Sequence, residues 1–185
     1  MSDIRCFIAI ELPPSMREDI RRIEDGLRVP GLRLVRPEIC HITLKFLGDV
    51  PENQMESICA ALKSVRTEPF EAKVRGMGAF PGKSIRVVWL GLEGNFSQLH
   101  RQVDELLEPL GFEREARKFS PHVTLGRVSR PSPQTSKDIA SRMDQYKDID
   151  LGSFPVDRFL LKKSTLTREG PIYEDIAEFL LRPTG

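Results

Sequence analysis

The tetrapeptide His-x-Thr-Leu occurs twice, as His41-Ile-Thr-Leu44 and His122-Val-Thr-Leu125, 81 positions apart, and these copies hold two of the three histidines in the chain. In an extended strand successive side chains point to opposite faces. His41 and Thr43 therefore share one face while Ile42, Leu44 and Phe46 take the other, and His122 and Thr124 separate likewise from Val123 and Leu125. Each strand can anchor a core with its apolar face and present an imidazole and a hydroxyl on its polar face. One short match is weak; two at equivalent places in a repeated unit are much stronger.

The surroundings of the motif repeat as well. Residues 4–11 read as a buried opening strand. A helix follows, signalled by Ser15 with Glu18 as a capping box and by Met16, Ile20, Ile23 and Leu27 at helical spacing. The His41–Leu47 strand ends at Gly48-Asp49, and a helix starts near Pro51 with Met55, Ile58, Leu62 and Val65 on one face. Strands at about 70–79 and 84–91 flank a turn at Pro81-Gly82. The order then recurs: a helix from about Asn95 with Phe96, Leu99, Val103 and Leu106, the His122–Arg127 strand, a helix at 136–146 with Ile139 and Met143 inward, and strands near 153–163 and 172–180. Arg130-Pro-Ser-Pro133 and Leu181–Gly185 read as loop and tail. The expectation is an α+β chain, residues 1–185, forming one bilobal domain from two pseudo-symmetric halves. Each lobe carries an antiparallel sheet with helices, and the motif strands at about 41–47 and 122–128 face a central cleft. Two copies are too few for a stacked array.

Composition narrows the functional classes. The chain has 185 residues, 28 Lys+Arg against 27 Asp+Glu and a formal net charge of +1, with 39% hydrophobic and 30% charged residues. That suits a folded domain with a real core. A protein that coats nucleic acid indiscriminately would be strongly basic, but the count leaves room for a local basic groove that takes a short anionic substrate. The early apolar run Cys6–Ile10 is too short to span a bilayer or to act as a secretory core, so the expected location is the cytoplasm, away from membranes. Cys6, Cys40 and Cys59 are odd in number and lack a CxxC spacing, which reads as reduced thiols packed in a core.

Two imidazoles and two hydroxyls suggest a chemistry. An unperturbed imidazole titrates near neutrality, so one ring can be neutral and take a proton from water while the other is charged and protonates a leaving oxygen. Threonine hydroxyls can donate to non-bridging oxygens on phosphorus, where charge builds in the transition state. This fits in-line displacement at a phosphodiester without cofactor or metal, above all at a strained cyclic one. Metal binding would call for His or carboxylate where Thr43 and Thr124 stand, and no HExxH, Walker loop or GxSxG elbow is present. Alternation turns Cys40 away from His41, against a Cys/His pair. The Gly76-Met-Gly78 stretch is a glycine-rich turn region with little to say about phosphate.

The segments Arg5-Cys-Phe-Ile-Ala-Ile-Glu-Leu-Pro13, His41-Ile-Thr-Leu-Lys-Phe-Leu-Gly-Asp-Val50, Phe119-Ser-Pro-His-Val-Thr-Leu-Gly-Arg127 and Leu161-Lys-Lys-Ser-Thr-Leu166 resemble the two-histidine phosphoesterases. The likeness is strongest to the RNA 2′,3′-cyclic phosphodiesterases, also called 2′-5′ RNA ligases, and covers essentially the whole chain. It implies hydrolysis of an RNA terminal 2′,3′-cyclic phosphate to a 2′-phosphate, with His41 as proton donor, His122 as proton acceptor and the substrate phosphate held by Thr43, Thr124 and Arg127. Alternatives are 2′-5′ joining of RNA halves, opening of a small cyclic nucleotide, and an RNA-end-binding module without turnover. The expected partner is an RNA 3′ end, and the expected state a monomer.

Simple alternation from His122 sends Arg127 to the wrong face; a bulge at Gly126 would re-aim it toward the cleft. Tyr173, at the start of the last strand, can stack on a base or pack on the sheet. Phe7 and Phe46 read as core, and His100 as a boundary residue on a helix flank. Lys83, Arg86, Arg117, Lys118, Arg130 and Lys162 are candidates for the rim of an RNA groove, set against their reading as solvated faces.

Overall fold

The computed structural model describes residues 3–81 and 84–183. In chain order the elements are β1 (Asp3–Glu11), α1 (Arg17–Gly26), β2 (Leu32–Leu34), β3 (His41–Pro51), α2 (Met55–Leu62), β4 (Phe70–Phe80), β5 (Val87–Glu93), α3 (Phe96–Leu107), β6 (His122–Val128), α4 (Pro133–Met143), β7 (Asp150–Val156), β8 (Arg158–Thr167) and β9 (Gly170–Leu180). The strands follow the path β7-β4-β5-β6-β3-β1-β8-β9, with β2 added beside β6. Every pairing among them is antiparallel. The result is a curled α+β architecture.

Two four-stranded groups make up this path, and they touch through one residue pair, Ile42 opposite Val123. The motif strands β3 and β6 are thus central neighbours that separate almost at once. Past that point β2 takes the place of β3 alongside β6, with Leu32, Arg33 and Leu34 opposite Val128, Arg127 and Gly126. The divergence opens the cleft between the groups. Each group also joins strands from the two halves of the chain: β4 lies beside β7, and β8 beside β1.

Most residues of the apolar stripes read from periodicity are buried. Met55, Leu106 and Met143 pack partly buried against the core, and Leu107 is the fully buried leucine at the end of α3. Met16, Ile20, Ile23 and Leu27 around α1, Ile58 and Leu62 of α2, Phe96, Leu99 and Val103 of α3, and Ile139 of α4 join Ile8, Ile42, Leu44, Val123 and Leu125 in one core. Such burial is worth about 1.5–3 kcal/mol per large side chain. No helix among the described residues is long and apolar enough to cross a membrane.

Several local expectations are corrected. Ser15 makes no capping bond: Pro14–Met16 form a 3-10 turn closed by Met16 N–H donating to the Pro13 carbonyl at 3.0 Å, and α1 begins after it. The turn places Met16 in the core and leaves Ser15 exposed. Pro133 starts α4, and Ser132 before it caps that helix by accepting from Thr135 N–H at 3.0 Å. The run 153–163 is two strands, because the chain passes at Asp157 from the β4 side to the β1 side. Gly76 and Gly78 lie inside β4: Gly76 has φ +77 at a bulge, and a Cβ on Gly78 would fall 2.2 Å from the Trp89 ring. The turn expected at Pro81-Gly82, like Lys83, extends outside the described residues.

Candidate active site

The β3–β6 divergence produces a cleft of about 580 Å³ whose lining includes His41, Thr43, His122, Thr124, Arg127 and Tyr173. All six residues expected to act on substrate therefore face one space. His41 Nδ1 lies 2.9 Å from the Ile39 carbonyl and His122 Nδ1 lies 2.8 Å from that of Ser120. A carbonyl only accepts, so both rings carry a proton on Nδ1 and leave Nε2 for the chemistry. The two tethers have the same form, each reaching back two residues. Thr43 Oγ1 lies 3.1 Å from His41 Nε2 and donates to it when the ring is neutral.

Arg127 enters the cleft through the bulge. Opposite β5, Trp89 faces Thr124 and Val88 faces Gly126, so Leu125 is the extra residue on β6. Leu125 and Gly126 are both buried, the alternation slips by one, and Arg127 returns to the side of His122 and Thr124. The same device occurs in β3: Ala9 faces Thr43 and Ile8 faces Lys45, which leaves Leu44 unpaired. Here the slip overturns an expectation. Phe46 is 66% exposed and lines the cleft, so it is no core residue.

Around His41 an aromatic group assembles. Phe7 is buried, and its ring centroid lies 4.9 Å from His41, 5.0 Å from Tyr173 and 6.0 Å from Phe46. Tyr173 meets His41 edge-on at 5.3 Å. His122 has aromatic neighbours of its own in Phe80 and Trp89, at 5.7 and 6.3 Å. His100 is buried and not at a boundary; its ring stacks on Phe119 at 4.2 Å and so fixes the segment whose Ser120 carbonyl holds His122.

Charge is distributed unevenly over the site. Lys162 is buried and donates to Glu11 and Asp175 at 2.5 Å each. It is therefore an internal ion pair, not a groove rim. Burial alone would lower its pKa, but the two carboxylates outweigh burial and hold the ammonium above the ordinary lysine value. Burial pushes the His41 imidazole below its usual value; the Ile39 carbonyl works the other way, and the charge of Lys162 adds to the lowering. Arg86, Arg117, Lys118 and Arg130 are exposed and lie away from the cleft lining. Its cations are instead Arg5, Arg33, Arg36 and Arg127, against Glu169 as the one carboxylate among the described lining residues.

Arg5, Arg33 and Arg36 do not stand out in the sequence. The available signal is the Leu32-Arg33-Leu34 alternation, over only three residues. Burial raises the Cys6 and Cys40 thiols to about 11 and about 12, so neither offers a thiolate to the site. Among the described residues no group of three or more His, Cys, Asp or Glu is placed to hold a metal ion.

The description "LigT like Phosphoesterase" belongs to a family model that matches residues 10–89 and again 91–173. The chain belongs to the LigT-like phosphoesterases. It is similar to the RNA 2′,3′-cyclic phosphodiesterase of Methanocaldococcus jannaschii, 38% identical over 95% of this chain and 100% of that protein. It is also 40% identical to the protein of that name from Archaeoglobus fulgidus, over 95% of this chain and 99% of the relative. Among solved structures, a Thermus thermophilus protein superposes with a TM-score of 0.81 at 28% identity, covering 98% of this chain and 100% of that one. Escherichia coli LigT in apo form gives 0.78 at 25% identity, covering 98% and 99%. A LigT-like phosphoesterase is a hydrolase, and the two motif strands of this one bring their histidines to a single cleft.

Proposed function

We propose that this phosphoesterase opens the terminal 2′,3′-cyclic phosphate of RNA and leaves a 2′-phosphate. The observation that carries the reading is the pair of imidazoles on one cleft, each tethered through Nδ1 so that Nε2 is free for proton transfer. A water molecule attacks phosphorus, and His122 Nε2 takes its proton. The bond from phosphorus to the 3′ oxygen breaks as His41 Nε2–H protonates that oxygen, giving a free 3′ hydroxyl and a phosphate on the 2′ oxygen. No atom is added except those of water.

Thr43 is coupled to this cycle. Against a neutral His41 its hydroxyl donates to Nε2. Once His41 carries its proton the hydroxyl hydrogen is released and can donate to a phosphate oxygen, together with Thr124 and Arg127. Substrate itself supplies the condition for the switch, because a phosphate anion beside His41 favours the imidazolium that burial opposes. Family membership, the relatives' names and the arginine-rich lining support RNA as the substrate class.

The test is incubation with an oligonucleotide ending in a 2′,3′-cyclic phosphate, followed by mapping of the monophosphate. The expected product is the 2′-phosphate, formed at the same rate in the presence of EDTA. A 3′-phosphate would overturn the assigned bond cleavage. Tight retention of the end without product would overturn catalysis in favour of binding.

A further inference from the structure

Arg33 stands in the middle of β2 directly opposite Arg127 of β6. Cross-strand partners project from the same face of a sheet, and like charges placed so repel each other. Neither guanidinium has a carboxylate partner among the described residues. The pairing is nevertheless built in. A Cβ on Gly126 would fall 2.8 Å from Leu32 Cδ1, so the glycine is what lets β2 approach β6. Val35 N–H then donates to the carbonyl of Leu125, the bulge residue, at 2.8 Å. Arg33 also reaches across the cleft: its Nη2 lies 3.7 Å from the Cβ position of Gly170, on the turn joining β8 to β9. Arg36 lines the same space three residues on.

A single guanidinium fork can hold a phosphate bidentately, and Arg127 is the fork already assigned to the reacting phosphate. Arg33 has no task in that reaction. We infer that Arg33, assisted by Arg36, forms a second anion subsite that binds the phosphate on the 5′ side of the terminal nucleotide. This rests on the cyclic-phosphate reading and specifies its substrate class. The enzyme acts on ends of RNA chains in preference to free cyclic mononucleotides, because only the chain brings a second phosphate to the facing arginines.

A matched pair of substrates isolates the subsite: a nucleoside 2′,3′-cyclic phosphate with and without a 5′-phosphate. The wild-type enzyme should favour the 5′-phosphorylated compound in kcat/KM by about tenfold, the scale of one charge-assisted contact. Arg33→Gln should abolish that preference and leave kcat/KM on the compound lacking the 5′-phosphate within about twofold of wild type. On a longer RNA the same substitution should reduce the slope of log KM against log salt by about 0.7, one phosphate contact on a single strand. Unchanged turnover of the smaller substrate shows that the variant is folded. Equal losses on both compounds, or no loss on either, overturn the second subsite and leave the cyclic-phosphate reading standing. A wild-type enzyme that opens neither overturns both.

Discussion

The two motif strands β3 and β6 begin alike and end differently. Each opens on a histidine tied by Nδ1 to the carbonyl two residues back, continues through a threonine, and bulges at a leucine, Leu44 or Leu125. After the bulge the sequences part. At the next position β3 has Lys45, buried and bonded to Asp104 and to the Glu113 carbonyl, where β6 has Gly126. A buried ammonium is stable only when paired, so Lys45 spends its charge in tying β3 to α3 and the segment after it. Gly126 admits β2 instead, and β2 carries Arg33 to the cleft. One position further on, the bulge aims Phe46 from one strand and Arg127 from the other into the same space. Two strands of one design therefore give the site an aromatic wall and a cationic wall. What they share serves proton transfer, and where they differ they can serve recognition.

If proton transfer is the shared task, neither histidine can substitute for the other. His41→Ala and His122→Ala should each lower kcat by about two to four orders of magnitude, the range of a lost general acid or base. Both variants should keep the wild-type circular dichroism spectrum. In single-turnover assays the double variant should lose far less than the product of the two single losses, since both rings act in one step. A single variant that retained full turnover would break the equivalence of the strands. Thr43→Ala and Thr124→Ala should cost about 10²–10³ in kcat, as for a lost transition-state donor.

The divergent positions should separate kinetically. Arg127→Gln should lower kcat/KM by about tenfold to a hundredfold, through loss of a charged donor to phosphate. Phe46→Ala should instead raise KM by about tenfold with kcat nearly unchanged, because stacking on a base binds ground and transition states alike. Steady-state kinetics on an oligonucleotide with a cyclic phosphate end distinguishes the two patterns. A Phe46→Ala variant defective in kcat alone would give the aromatic wall a part in the chemistry.

Much of the cleft is legible in the sequence because alternation is a strong local rule: His41 and Thr43, or His122 and Thr124, share a face in any regular strand. The bulges are harder. Leu44 and Leu125 look like ordinary inward residues, and only pairing with β1 and β5 shows that each is one too many. A bulge at Gly126 suggests itself because Arg127 needs one; no comparable demand falls on Phe46, so alternation alone puts it on the wrong side. β2 escapes notice because three residues carry too little periodicity, although Arg33 stands there. Lys162 reads as a groove residue because its partner Glu11 lies 151 residues away, a contact that no sequence window contains.

That distant ion pair gives the finest test of how the two histidines differ. His41 is faced by Lys162, Glu11 and Arg127 among charged groups and by Phe7 and Tyr173 among aromatic ones. Lys162→Met removes a positive charge whose effect is to lower the His41 pKa, and leaves Glu11, which acts in the opposite sense, without its partner. Glu11 and Asp175 are both more than half exposed, so water can solvate them when Lys162 is gone. The variant's His41 should then hold its proton to higher pH. With His41 as the acid, kcat/KM falls as that proton is lost, so the alkaline limb of the pH profile should move upward while the acid limb stays in place. Movement of the acid limb instead would make His41 the base and exchange the two roles. No movement of either limb would show that the field of Lys162 is spent within its own ion pairs and does not distinguish one histidine from the other.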